Sequence, residues 1–313
     1  MPARSQWPVA EPRKFTFDEP VTGVDIRVVG GSVNVVGSEG PVRLHIEEVH
    51  GPPLTVGLTG STLSVAYDDL RWQGFLSRLD RAADRSVTVS LTVPPSVRLR
   101  IGAVAAATVV SGVTGGTELR GVSGDSTLVG LAGRVRADTV SGRVEAQGLA
   151  GDLRFNSVSG DLTVIEGAGR WVRADTVSGT VVLDLATAGR DADVRLKSVS
   201  GDLALRLPDP ADAAVDASTA GGAVSSDFGN LALSGHWGAR KLRGRLGAGN
   251  GRLRAASVSG AVALLRRPDP AEDGTAPEHP PGPDTADLPG PAGSPDPADP
   301  ADSPDPTDSK KVL

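Results

Sequence analysis

A chain of 313 residues with 40 glycines, 24 prolines, ten aromatic side chains and no cysteine is not composed like a compact globular domain. Without cysteine there is neither a disulfide framework nor a thiolate metal site, and so few large rings suit a narrow core of Val, Leu and Ala. The formal charge of −6 is unevenly placed: residues 268–313 hold 11 Asp or Glu and two Lys, leaving 27 acids and 30 bases elsewhere, a balance too weak to point to nucleic acid.

In chain order, residues 1–14 read as a flexible lead. No apolar h-region lies between Met1 and Pro12, and no run approaches the ~18 apolar residues of a membrane span, so a cytoplasmic location is expected. Residues 15–266 read as repeated strands. Gly23, Gly31, Gly40, Gly51 and Gly60 each precede period-2 alternation, as in Val24-Asp25-Ile26-Arg27-Val28. Residues 68–86 break the pattern: Trp72, Phe75, Leu76 and Leu79 fall at i, i+3, i+4 and i+7, which predicts a short amphipathic helix behind Asp68 or Asp69. Strands resume at Val87 and Pro94-Pro95 turns the chain.

From Ile101 to Leu265 the repeat is plain. A glycine followed by an alternating aliphatic pair returns every nine residues, at Gly115, Gly124, Gly133, Gly142, Gly151, Gly160 and Gly169, and every second one closes a Val-Ser-Gly triplet. A nine-residue unit can form one strand and one turn but encloses no core alone, so the units must stack. The fold class is therefore all-β, a β-solenoid. Thr139, Ser157, Thr176, Ser198 and Ser257 precede the triplets and are placed to bond backbone groups at the corners. One extra residue between Gly169 and Val172 predicts a β-bulge that turns Trp171 outward.

Charges set the coil length. The residue after each corner glycine runs Asp125, Arg134, Arg143, Asp152, Asp161, Arg170. Two strands per 18-residue coil stack opposite signs throughout, whereas a 27-residue coil stacks Asp125 on Asp152 and Arg143 on Arg170. Residues 267–313 then hold 13 prolines and almost no aliphatics, which predicts a disordered acidic tail tipped by Lys310-Lys311-Val312-Leu313.

The β-rich lead, the Val93-Pro94-Pro95-Ser96-Val97-Arg98-Leu99 step and the Val-Ser-Gly-Asp/Arg-Val/Leu repeats together resemble a bacterial family of β-strand-repeat proteins labelled "putative adhesin", over about residues 15 to 265. The resemblance implies a β-solenoid domain of unknown function with no established catalytic residues, and a cell-surface setting.

Three groups of residues are candidate sites. Calcium-binding β-rolls share the nine-residue period but need an Asp in every unit, whereas Arg134, Arg143 and Arg170 occupy half of these positions. Catalysis by paired carboxylates would draw on Asp138 and Asp175, which recur in identical Arg-Ala-Asp-Thr-Val-Ser-Gly stretches, as structural corners do and local active sites do not. His45, His50, His236 and His279 are scattered. The helix of Trp72, Phe75, Leu76 and Leu79 either caps the solenoid or docks on a partner or an anionic membrane. The expectation is a non-enzymatic, adhesin-like scaffold presenting a repetitive surface to a protein or envelope component, with no cofactor, metal or nucleic acid. The alternatives are a carbohydrate-active β-helix enzyme and a peripheral membrane scaffold docking through that helix.

Overall fold

The computed structural model describes residues 4–67, 70, 85–187, 191–236 and 238–267. All regular elements among them are strands. The first eight are β1 (Arg4–Val9), β2 (Arg13–Phe17), β3 (Gly23–Val28), β4 (Gly30–Gly37), β5 (Val42–His50), β6 (Leu54–Thr59), β7 (Thr62–Ala66) and β8 (Ser86–Val93). Regular coils follow: β9 (Arg98–Ala103), β10 (Ala107–Ser111), β11 (Thr117–Gly121), β12 (Ser126–Val129), β13 (Val135–Asp138), β14 (Val144–Gln147), β15 (Leu153–Asn156), β16 (Leu162–Gly167), β17 (Trp171–Asp175), β18 (Val181–Leu185), β19 (Asp193–Lys197) and β20 (Leu203–Leu207). The last six are β21 (Ala213–Thr219), β22 (Val224–Ser226), β23 (Leu231–His236), β24 (Ala239–Leu246), β25 (Gly251–Ser257) and β26 (Val262–Arg266).

Odd-numbered coil strands lie in a 14-stranded sheet and even-numbered ones in a 12-stranded sheet, and inward residues of both share one core. Each coil pairs in parallel with the next. Val135 lies opposite Leu153 and Val144 opposite Leu162, an 18-residue step that gives two strands per coil. The step grows to 19 at Leu153 and Val172 and to 22 at Val172 and Val194. Period-2 alternation sets the inward face: Val135, Ala137, Leu153, Phe155, Val144 and Leu162 are all buried.

The corners explain the glycines. Gly124, Gly142, Gly160, Gly179 and Gly201 stack in a column, and a Cβ on any of the last four would run into the carbonyl oxygen of the glycine beneath. What glycine supplies there is close approach of backbone to backbone. Beside this column four of the five predicted hydroxyls act as expected, while Thr139 Oγ1 donates to Ser157 Oγ (3.1 Å). Ser157 Oγ accepts from the Gly160 N–H (2.7 Å), and Thr176, Ser198 and Ser257 do the same for Gly179, Gly201 and Gly260. The triplet serines reach down one coil, Ser141 Oγ donating to the Val122 carbonyl (3.0 Å) and Ser159 Oγ to that of Val140 (3.2 Å).

At both ends the chain departs from simple winding. The β3–β4 coil lies between β7–β8 and β9–β10, and the β25–β26 coil lies between β19–β20 and β21–β22. Antiparallel pairs then finish both sheets at the first end and the larger sheet at the second, where the smaller sheet ends on the three-residue parallel β22. The antiparallel pairs are β6–β7, β1–β6, β5–β8 and β2–β5 at one end, and β21–β24 and β23–β24 at the other. An unpaired parallel edge would template further strands, and antiparallel hairpins move that edge onto short or polar segments.

Several expectations need correction. The lead expected over 1–14 is not a free segment in its described part, residues 4–14: β1 pairs with β6 and β2 begins at Arg13. The helix expected over 68–86, with Trp72, Phe75, Leu76 and Leu79, lies outside the described residues apart from Leu70, Arg85 and Ser86, of which Ser86 already belongs to β8. The tail from 268 onward also lies outside them. The bulge falls between Val164 and Gly167, where Glu166 has φ 56°, while the residue inserted near Trp171 is absorbed at the corner before β17. The 18-residue coil holds, but not chiefly through ion pairs. Arg134 and Asp152 come within 3.6 Å, whereas Asp125 accepts the backbone N–H of Arg143 (3.0 Å) and Asp161 that of Thr180 (2.8 Å). A carboxylate one residue past the corner is near enough to cap an amide of the coil above, and a charge-assisted bond to a fixed backbone donor costs less side-chain entropy than a surface ion pair.

Candidate functional site

Down the register of the larger sheet, the outward residue after the first buried aliphatic is Arg136, Arg154, Arg173, Arg195 and Arg254. Each stands directly opposite the next on β13, β15, β17, β19 and β25. At about 4.8 Å between strands, four steps carry the ladder over about 19 Å. Like charges directly opposite one another are unfavourable in a sheet, so the arrangement needs compensation. Three rungs have it. Arg136 pairs with Asp138 (2.8 Å), Arg173 with Asp175 (2.6 Å) and Arg195 with Asp193 (2.8 Å). Hydrogen bonding to Asp138 and its charge hold the Arg136 guanidinium above its ordinary pKa, and Asp175 does the same to Arg173.

Arg154 differs. Its strand carries Asn156 where β13 and β17 carry aspartate, and Asn156 Nδ2 donates to Asp138 instead. The Arg154 Nε is buried without a hydrogen-bond partner. Lys197 and Arg254 likewise make no ion pair among the described residues.

The ladder joins two grooves on the same face. One, of about 500 Å³, is rimmed by Arg98, Arg100, Arg134 and Arg136 and opens where Gly23 and Gly116 lack side chains. The other, of about 290 Å³, has Arg195, Lys197, Lys241 and Arg254 around a floor that includes Ser218, Ala255 and Ala256. Acids are present in both, Asp25 and Glu118 in the first and Asp216 in the second. Cations outnumber them in each.

This bias is specific to one sheet. The described strands of the larger sheet carry sixteen Arg or Lys against six Asp or Glu, and those of the smaller sheet five against five. Residues 1–267, with 30 bases and 27 acids, therefore fold into one basic sheet and one neutral sheet. Composition concealed this because it averages over both sheets. The signal was nonetheless in the sequence, in the residue after the first aliphatic of alternate nine-residue units rather than in the residue after each glycine.

Asp138 and Asp175 stand two strands apart, each engaged by its own arginine. His45 lies 3.5 Å from Glu47 and His50 3.9 Å from Glu48, both on β5 in the other sheet, and His236 is on β23. His279 and the Trp72 group lie outside the described residues. Asp125, Asp152, Asp161 and Asp202 each accept a backbone N–H from the next coil. Among the described residues no three His, Asp or Glu side chains converge as a metal set.

Comparison with known proteins gave three results. No curated protein matches the chain. A solved structure of a "putative cell adhesion protein" from Clostridium sporogenes is 10% identical, covering 82% of this chain and 100% of its own, but at a TM-score of 0.24 it carries no argument. The Toastrack DUF4097 family model matches residues 55–265, from β6 through β26. The regular coils, the ladder and the arginines and lysines of both grooves fall within that match, Gly23, Val24 and Asp25 of the first groove lying before it, and the chain belongs to the Toastrack DUF4097 family.

Proposed function

We propose that the protein is a non-enzymatic, adhesin-like β-solenoid scaffold that holds an extended, negatively charged protein or envelope partner along the outward face of its larger sheet. The observation carrying this reading is the arginine ladder. Burial does not require arginine at outward positions, and stacking arginines on one another is unfavourable. A partner that brings negative charge relieves that repulsion, and guanidinium groups suit carboxylate or phosphate because they donate in pairs from a fixed plane.

The test is co-sedimentation of the full chain with isolated bacterial envelopes. Arg154→Glu combined with Arg254→Glu should lower the bound fraction at least tenfold, as should high salt, while Val109→Thr on the smaller sheet should leave it unchanged. Charge-reversed protein that sediments like the parent would sink the reading. Sugar fragments released from the envelopes during incubation would favour the β-helix enzyme instead.

A further inference from the structure

We infer that the anionic partner is a linear acidic polysaccharide with one carboxylate per sugar ring, bound along the track from the Arg98–Arg136 groove to the Lys197–Arg254 groove. The inference rests on the reading above and narrows it to one polymer class.

The spacing of the ladder selects among linear polyanions. The ladder advances about 4.8 Å per guanidinium. An extended peptide returns a side chain to the same face only every ~6.6–6.8 Å, so alternating acidic residues fall out of step within a few rungs. Each strand of duplex DNA advances about 3.4 Å per phosphate, which errs in the other direction. A chain of sugar acids places one ring between successive carboxylates, and rotation at each glycosidic bond lets it follow the sheet.

The surface beside the track also favours a sugar chain. Binding of single-stranded nucleic acid relies on successive aromatic platforms. Between β9 and β21, Trp171 is the one aromatic side chain on the outward face among the described residues. It lies two residues before Arg173 and is half-buried. One indole midway along a cationic track can stack on a single sugar ring and hold the chain against the sheet.

Charge compensation along the ladder is uneven. Asp138, Asp175 and Asp193 fix three guanidinium planes but leave each with outward donors, since arginine has five N–H groups. Arg154, Lys197 and Arg254 remain for the ligand. An intermittent set of free cations at the centre and one end favours a polymer held at several points over a single small anion.

The experiment is calorimetric titration of the full chain with oligogalacturonates of two to ten sugars, with the methyl-esterified polymer, an oligothymidylate and oligoglutamate of matched charge as comparisons. Affinity should rise with length to about five sugars, the number of rungs at one per strand, and then level off. The esterified polymer should not bind. Lys197→Ala with Arg254→Ala should weaken the longer oligomers at least tenfold, and Arg43→Ala on the smaller sheet should change nothing. Arg254→Gln replaces Arg254→Ala if thermal melting shows the latter to be less stable. Equal or tighter binding of oligothymidylate or oligoglutamate would overturn the polysaccharide assignment and leave the anion-binding face standing. If none of the three polyanions binds, both the assignment and the face fall.

Discussion

Strands β13, β15 and β17 and their counterparts β14, β16 and β18 come from the same repeats, yet they differ on one side only. Inward, Val135, Leu153 and Val172 match Val144, Leu162 and Val181, all buried. Outward, Arg136, Arg154 and Arg173 stand where the smaller sheet has Glu145, Thr163 and Val182. The shared core dictates the first set, because a strand buried on one face must place an aliphatic at every second position. Nothing in the fold dictates the second. The smaller sheet shows what the outward face looks like without a charge bias: Val109, Val129, Ile165 and Val182 are exposed, β-branched residues that favour the strand and little else. The arginines of the larger sheet are therefore the residues on which the proposed anionic partner is tested.

The largest test separates inside from outside on one strand. Phe155 is completely buried, and Phe155→Ala should lower unfolding free energy by about 3–5 kcal/mol. Arg154→Ala, one residue away, should change it by no more than about 0.5 kcal/mol while weakening the anionic partner. Equal destabilisation by the two in urea unfolding would mean that the ladder serves the fold.

Asp184, on the smaller sheet, is the exception to its neutral surroundings. Its carboxylate is only 5% exposed and lies between Arg206 (2.7 Å) and Arg267 (2.6 Å). Burial alone would raise its pKa, but hydrogen bonds from both arginines, with their charges, hold it below the ordinary carboxylate value of 3.8. A group whose pKa is lowered by folding contributes stability above its unfolded pKa and loses it as pH falls through the folded one. Asp184→Asn should cost about 1–3 kcal/mol at neutral pH. Denaturation midpoints of parent and variant should converge as pH drops below about 4, and a gap that stays constant to pH 2 would show that charge is not the cause.

The smallest effect concerns the corners, where the chain crosses between sheets. Ser198→Ala removes the acceptor for the Gly201 N–H in passing from β19 to β20 and should cost about 1 kcal/mol. Hydrogen exchange at Gly201 should quicken, with Gly148, at a corner of the opposite sense, unaffected.

Much of this was legible from local pattern. Nine-residue spacing, buried aliphatics two apart and a hydroxyl three residues before five of the Val-Ser-Gly glycines gave strands, inward faces and corner bonds, because each depends on neighbours along the chain. Gly142 and Gly160 marked corners but not the reason for glycine, which is a carbonyl 18 residues away. The segregation of arginine was present in the repeats, yet it acquires meaning only once alternate units are assigned to different sheets.

By itself, then, the sequence determined the strand period, the inward face and the 18-residue coil. Tertiary structure decided that β3–β4 and β25–β26 are each inserted between two coils that are consecutive in sequence, with Val24 opposite Leu99 and Val194 opposite Leu253. It also decided that Asp125 and Asp161 cap amides rather than pair with arginines. The physical reason is common to both. A strand's alternation is fixed within a few residues, but its hydrogen-bonding neighbour is chosen among many edges of similar chemistry, and that choice rests on closing the two ends of the sheets.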